Sequence, residues 1–304
     1  MIVNHILSKN GFYWLFYYLI LLLKVDRLLS DRSFLELQFR CIVGKQLDLK
    51  DPKTFNEKLQ WLKLYDRRPE YTTMVDKYAV KGYVSNIIGA EYIIPTIGVW
   101  NSPEDIEWEL LPKQFVLKCT HDSGGLVICK NKAMLDKRSA INKLNKCYRR
   151  DYYMKGREWA YKDVPRRIIA EKYIEENSEL KGLQDFKFMC FNGKVKCCFT
   201  CTNRYEEGGL KVTFYDDNWN VLDFERSYPR EKIPMPKPHC YDMMKRMAEK
   251  IADNLLFARI DFYEIDNHPY FGEITLYPGN GLETFQPEEW DYILGSWMKL
   301  PSNQ

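Results

Sequence analysis

Two acids near the C-terminal end constrain this chain most. They lie in two β-prone runs, Arg259-Ile260-Asp261-Phe262-Tyr263-Glu264-Ile265 and Pro269-Tyr270-Phe271-Gly272-Glu273-Ile274-Thr275, separated by Asp266-Asn267-His268. Such runs around a short Asp/Asn turn predict a hairpin. A turn centred on Asn267 sets Asp261 opposite Glu273. The period of two along a strand then puts Arg259, Asp261, Glu273 and Thr275 on one face. Opposed Cβ atoms in such a pair lie about 4.5–5.5 Å apart, and like charges there repel. A cation between them removes the repulsion, and Mg²⁺ at nucleotide sites takes one or two carboxylates with room left for phosphate. Two solvated hairpin acids in an offset register are the competing reading, and on the hairpin alone the two readings weigh about equally.

The chain has 304 residues, enough for one large domain or two moderate ones. Hydrophobic residues make up 45% and charged residues 29%, as in ordinary globular proteins. A net charge of +3 is too small to argue for nucleic acid, and the basic runs at 146–150 and Pro165-Arg166-Arg167 read as solvated faces. Aromatics, at 15%, suit clefts for sugars and adenine but also fill cores. Nine cysteines with no secretory leader pattern read as reduced thiols of a cytoplasmic protein. Cys198 and Cys201 form a lone CxxC in a strand-like segment, and histidine is scarce, so buried strand thiols are expected there.

Phe12 to Leu23 is an apolar, aromatic run of twelve residues, shorter than the ~20 needed to span a bilayer. No small-residue cleavage site follows it. It is either a helix packed on the domain or a helix lying in a membrane interface. Packing on the domain is the first reading; on the second, residues 12–24 are the candidate peripheral membrane contact, at the inner face.

Residues 1–70 read mostly as helix. Thr54-Phe55-Asn56-Glu57 is a helix start with a capping box, after which Lys58–Tyr65 continues. From residue 71 the pattern changes to α+β. Helices are expected at Met74–Gly89, Ala133–Arg150 and Tyr241–Phe257. Strands are expected at Phe115–Thr120, Leu126–Lys130 and Arg167–Ile174. A hairpin is expected around Asn192-Gly193, the preferred I′ dipeptide.

Several of these segments carry charges where chemistry could use them. Lys118 sits inside the apolar run Phe115-Val116-Leu117-Lys118-Cys119-Thr120, where burial demands an anionic partner. The next turn, His121-Asp122-Ser123-Gly124-Gly125, can offer backbone N–H groups to phosphate. An edge-strand lysine before a plain turn is the alternative. The order is not that of a P-loop, because the lysine precedes the glycines. Glu171, in Arg167-Ile168-Ile169-Ala170-Glu171-Lys172-Tyr173-Ile174, stands where a strand running into a linker could hold an adenine edge. Asp185 and Lys187 share a face at the start of the second hairpin, suited to ribose hydroxyls and to phosphate. Arg204 and Lys211, around a Glu/Gly-rich turn, could also face anions. Each segment alone also fits a solvated surface.

Taken in order, the segments resemble the ATP-grasp ligases, and within them the teichuronopeptide-biosynthesis-like branch of polysaccharide clusters. Thr54–Trp61, Phe262-Tyr263-Glu264 and Gly272-Glu273-Ile274-Thr275 carry that likeness, which covers roughly residues 45–290. The resemblance implies an ATP-grasp fold, two α+β subdomains clasping ATP. It places the ATP-grasp domain at 71–304, with a lid subdomain at about 113–172, while the helical region at 1–70 departs from the α/β domain that usually precedes it. It implies that Lys77, in Asp76-Lys77, and Lys118 contact ATP phosphate, with Ser123, Gly124 and Gly125 as the phosphate loop. Glu171, Lys172 and Ile174 match the adenine-holding run of D-alanine–D-alanine ligases, and Asp185 the ribose acid. Asp261, Glu273 and Thr275 stand at the Mg²⁺ positions, Thr275 in place of the usual Asn, for which Asn280 can compensate. Arg259, with Lys118 and Lys187, stands at the catalytic positions. The implied activity is ATP-dependent carboxylate–amine ligation through an acylphosphate, joining an amino acid to a uronic acid or sugar of surface polysaccharide. A sugar or glycan kinase on the same fold, or a non-catalytic ATP-binding accessory protein, would use the same nucleotide residues.

Overall fold

The runs that alternate with period two assemble into two antiparallel sheets. A computed structural model describes residues 11–174, 184–202 and 209–301. The smaller sheet contains β1 (Thr96–Trp100), β2 (Phe115–Cys119), β3 (Leu126–Cys129) and β4 (Ile168–Lys172), in the order β1-β4-β2-β3. The larger begins with β5 (Asp185–Phe191), β6 (Lys194–Thr202) and β7 (Lys211–Asp216). After a short β8 (Glu225–Arg226) the chain returns to it with β9 (Phe257–Ile265) and β10 (His268–Thr275). Its order is β10-β9-β5-β6-β7, while β8 pairs with β11 (Phe285–Gln286). The Asn192-Gly193 turn joins β5 to β6 with both residues at positive φ, as its sequence predicts.

The helices are α1 (Gly11–Leu22), α2 (Asp31–Ile42), α3 (Phe55–Tyr65), α4 (Glu70–Val75), α5 (Ala79–Ile88), α6 (Lys137–Tyr148), α7 (Tyr152–Gly156), α8 (Tyr241–Ile251) and α9 (Glu289–Trp297). The capping box of α3 forms as expected. Thr54 Oγ1 accepts from the Glu57 N–H at 3.1 Å, and Glu57 Oε2 accepts from the Thr54 N–H at 2.9 Å. Phe55, Leu59 and Leu62 then enter the main core. Asn56 fixes α3 to α9, its N–H and Nδ2 donating to Asp291 at 3.0 and 2.9 Å.

The single helix expected over Met74–Gly89 is two. Asp76 turns extended between α4 and α5, and its Oδ1 accepts from the N–H groups of Tyr78 and Ala79. A carboxylate that offers the backbone this alternative competes with the helix and caps the next one. The helix expected over Ala133–Arg150 likewise starts later, at a cap made by Asp136. The one expected over Tyr241–Phe257 ends at Ile251, before the chain turns through Asn254 at positive φ.

One face of the larger sheet packs against α8, where Phe188 meets Tyr241 with ring centroids 5.5 Å apart. Alternation sends Asp185, Lys187, Arg259 and Asp261 to the opposite face. The smaller sheet has its own core, in which Phe115, Leu117, Ile168 and Ala170 pack with Ala140 and Leu144 of α6. A third cluster joins Tyr17 of α1 to Phe34, Leu35 and Phe39 of α2. All nine cysteines are free thiols, eight of them buried. No described helix is long and apolar enough to cross a membrane.

Candidate active site

The terminal hairpin turns on two residues, Asp266 and Asn267, both at positive φ. That is the tight I′ geometry, and it sets a register one residue away from a turn centred on Asn267. Phe271 therefore pairs with Phe262. Continued, this register would pair Gly272 with Asp261 and send Glu273 to the apolar face. A bulge between Phe271 and Glu273 absorbs one residue, so Glu273 pairs with Asp261 and Thr275 with Arg259. Glycine suits the bulge. A Cβ at Gly272 would lie 3.1 Å from the Asp261 carbonyl oxygen and 3.2 Å from the Tyr263 ring.

The pairing continues across all five strands. Phe214, Phe199, Lys187, Asp261 and Glu273 form one rung on the face away from α8. Lys187 Nζ lies 2.6 Å from Asp261 Oδ2 and 2.8 Å from Asp185 Oδ2. Arg259 grips Asp261 through Nε and Nη2, both at 2.7 Å, and its Nη2 also reaches Glu273 Oε1 at 2.6 Å. The cation that a face-sharing acid pair requires is thus supplied by the protein itself. Burial pushes the Asp261 carboxyl up, against the opposing pull of Arg259 and Lys187 on its oxygens. Burial alone would also raise Glu273, but Arg259, then Lys77, Lys187 and Lys118, hold it down at about 2.

The two sheets meet at this edge, where Ile93, just before β1, bridges to Phe271 of β10, and Lys77 and Lys118 of the smaller-sheet side add to the pull on Glu273. Lys118 and Glu171 project from the face of the smaller sheet away from α6. Glu171, 5% exposed, receives Lys118 Nζ on Oε2 and Lys81 Nζ on Oε1, each at 2.5 Å. Burial lowers Lys118, and Glu171 more than offsets it. Lys77 follows the break after α4. Its N–H bonds to the Thr120 carbonyl at 3.2 Å, and its Nζ to the Asp122 carbonyl at 2.8 Å. That anchors the turn where Ser123 and Gly124 are exposed, Gly124 with φ of +87°. Gly125 is buried, and a Cβ there would meet Cys147 Sγ at 2.7 Å.

Of the residues singled out in the sequence, the fold gathers Lys77, Lys118, Glu171, Asp185, Lys187, Arg259, Asp261, Glu273 and Thr275 around this cleft. Lys172 is next to Glu171 in the strand and so projects from the other face, exposed. Ile174 follows the end of β4, half-buried. Asn280 turns elsewhere: its Oδ1 accepts from Lys63 at 2.5 Å and its Nδ2 donates to Gln38 at 3.2 Å. Arg204 lies outside the described residues. Sequence reading missed Lys81, the second cation on Glu171. Its one signal was a position four residues, one helical turn, after Lys77.

Among the described residues no group of three acid, histidine or cysteine side chains is arranged to hold a metal. Both oxygens of Asp261 are engaged by Arg259 and Lys187. The side chain of Glu273 is 43% exposed, and Thr275 Oγ1 donates to its Oε1 at 3.3 Å. This donor set fits Mg²⁺ in the way nucleotide sites use it, with one open carboxylate and the rest of the sphere left to phosphate and water.

Residues 57–299 match the family model described as TupA-like ATPgrasp, and the chain belongs to that family, with the α+β ATP-grasp fold expected from its sequence. Similar solved structures include the D-alanine–D-alanine ligase from Bacillus anthracis complexed with ATP, at 17% identity, covering 68% of this chain and 55% of that one, with a TM-score of 0.40. The D-alanine–D-alanine ligase from Helicobacter pylori shares 15% identity over 81% of this chain and 69% of its own, with a TM-score of 0.44. The ATP-grasp ligase PsnB, complexed with minimal precursor, Mg and ADP, shares 10% over 91% and 73%, with a TM-score of 0.41. The chain spans just over half the length of the first of these. No curated protein sequence matches it.

Proposed function

We propose that the protein is an ATP-dependent ligase that joins a carboxylate to an amine through an acylphosphate. The observation that carries this reading is the charged rung. It places Lys187, Asp261 and Glu273 side by side under Arg259, opposite Lys77 and Lys118. Triphosphate brings charge that needs cations from both sides, and this cleft supplies them from both sheets. The smaller sheet serves as the lid subdomain, with Ser123, Gly124 and Gly125 against the phosphates. Glu171 and the chain through Ile174 hold the adenine, and Asp185 the ribose.

Mg²⁺, when bound, would neutralise phosphate charge and fix the γ-phosphoryl group. Glu273, oriented by Thr275, would hold the ion, with Asp261 beside it. In the reaction a substrate carboxylate oxygen attacks the γ-phosphorus and ADP leaves. The amine nitrogen then attacks the acyl carbon, loses a proton, and phosphate leaves. Arg259 and Lys187 stabilise negative charge that grows on the transferring phosphoryl group and on the tetrahedral oxyanion. No enzyme nucleophile takes part, so positioning and electrostatics carry the rate.

The polysaccharide-cluster branch that the motifs resemble supports an amino acid and a uronic acid or sugar as substrates, in cytoplasm. The aromatic helix α1 supports peripheral contact with the inner face of the membrane. The test is Mg·ATP turnover against a panel of amino acids and uronic acids. Amide, ADP and phosphate in equal amounts are expected. A phosphoester product would make the protein a kinase on this fold. ATP binding without turnover on any pair would make it an accessory protein.

A further inference from the structure

A buried guanidinium at the far end of the rung has no role in the reaction described above. Arg226 lies on β8, its side chain 7% exposed. The guanidinium sits over the rings of Phe199 and Phe214, 4.3 and 5.0 Å from their centroids. Those rings belong to the same rung as Lys187 and Asp261, so Arg226 is on the charged face. Arg259 flanks the same Phe199 ring at 5.9 Å. Glu283 is the counter-ion of Arg226 among the described residues, with Oε2 3.1 Å from Nε. Nε meets that carboxylate outside hydrogen-bond geometry, and Nη1, equally buried, has no hydrogen-bond partner among the described residues.

An arginine buried with N–H groups unpaired is costly, because each lost hydrogen bond to a charged group leaves its desolvation uncompensated. A planar guanidinium stacked on aromatic rings is also held in one orientation, and its fork matches a carboxylate. ATP phosphate is served at the other end, where Lys77, Lys118 and Lys187 converge on Glu273. Strands in a sheet are about 4.8 Å apart, so Phe199, on β6, lies three strands from Glu273, on β10.

We propose that Arg226 is the anchor for a carboxylate of the non-nucleotide substrate, a small amino acid or sugar acid held across the rung between Arg226 and Arg259. Glu283 orients the guanidinium, and the buried rings of Phe199 and Phe214 hold it from beneath. The proposal deepens the ligase reading and rests on it for the identity of the cleft.

The test uses the full chain and the variants Arg226→Met and Arg226→Lys. Binding of L-glutamate and D-glucuronate is measured by calorimetry in the presence of Mg²⁺ and a non-hydrolysable ATP analogue, and the analogue is titrated separately. Wild type is expected to bind at least one of the two acids. Arg226→Met is expected to weaken that binding at least about tenfold, the scale of a lost charge-assisted hydrogen bond. Arg226→Lys is expected to fall between, and affinity for the analogue to stay within about twofold in both variants. Should Arg226→Met fail to fold, the lysine variant decides by the same comparison. Acid binding that is equal in wild type and variants overturns the proposal. So does the absence of binding by either acid to wild type, or an equal loss of acid and nucleotide. The ligase reading fails on a different result, namely Arg226-dependent acid binding with no amide formed from any pair.

Discussion

Glu273 is the carboxylate whose protonation state matters most to the cleft, and its environment sets the pH at which it changes. Arg259, Lys77, Lys187 and Lys118 hold its pKa at about 2 in the folded protein, against 4.5 for an ordinary glutamate. A depressed carboxyl contributes stability that is fully present above its unfolded value and is lost as pH falls toward the folded one. The wild-type denaturation midpoint is therefore expected to drop between pH 4.5 and pH 2, and Glu273→Gln to show a shallower drop over that window. Identical slopes would count against the charge cluster. Lys118 makes a second prediction at this scale. Glu171 keeps Lys81 when Lys118 is removed, so Lys118→Met should fold and should lose ATP affinity by about tenfold or more. Unchanged affinity in a calorimetric titration would remove Lys118 from the phosphate site. These side chains were legible because a lysine in an apolar strand and two acids in one hairpin break local rules. Lys81 and Arg226 were not. A lysine on a helix and an arginine in an irregular segment are ordinary in sequence, and their partners, Glu171 and Glu283, are 90 and 57 residues away along the chain.

At the scale of elements, the hairpin shows how a correct pair can be reached by a different path. The expected register centred the turn on Asn267. The strands instead close through Asp266-Asn267 and recover the pair by a bulge at Gly272. Period two reports which residues share a face but not where a register shifts, because a bulge leaves the alternation on either side intact. The bulge can be tested through its glycine. Gly272→Ala must push the Asp261 carbonyl or the Tyr263 ring aside, at a cost of about 1–3 kcal/mol as overpacking. It should also lower turnover at least tenfold by moving Glu273. Gly82 is the control, since a Cβ there meets nothing within 4 Å on helix α5, and Gly82→Ala should stabilise by about 1 kcal/mol. Equal effects of the two substitutions on the urea midpoint would show that the bulge is not sterically set. The split of the helix expected over Met74–Gly89 has the same lesson. Apolar spacing persists through Asp76, and the tertiary bond from the Lys77 N–H to Thr120 decides where the helix stops.

Across the whole molecule, three apolar clusters divide the work, and this division makes the role of α1 testable. The cluster that joins α1 to α2 is separate from the cores beneath the two sheets. Tyr17 packs on Phe34 and accepts from Gln38 Nε2 at 2.6 Å. The remainder of α1 leaves Phe16, Leu19 and Leu22 exposed, with Leu23 and Leu28 following. Lys24, Arg27 and Arg32 come next in the chain. Large apolar side chains beside cations are the composition of a helix that lies in the interface of an anionic bilayer, where burial of apolar area and attraction to headgroups add. The other reading, a helix packed on the domain, accounts for Tyr17 on α2 but leaves these leucines without a role. Removal of residues 1–24 should therefore leave ATP binding and ligase turnover within about twofold, because the described part of α1 packs with the α2 cluster and not with the two sheet cores. Co-sedimentation with vesicles containing phosphatidylglycerol should be strong for the full chain, weaker in high salt, and absent for the shortened one. Equal sedimentation of both forms would sink the membrane role. Loss of turnover on truncation would instead tie the α1–α2 cluster to the cleft, through α7, where Arg157 stacks over Phe34 and donates to the Asp26 carbonyl at 2.7 Å.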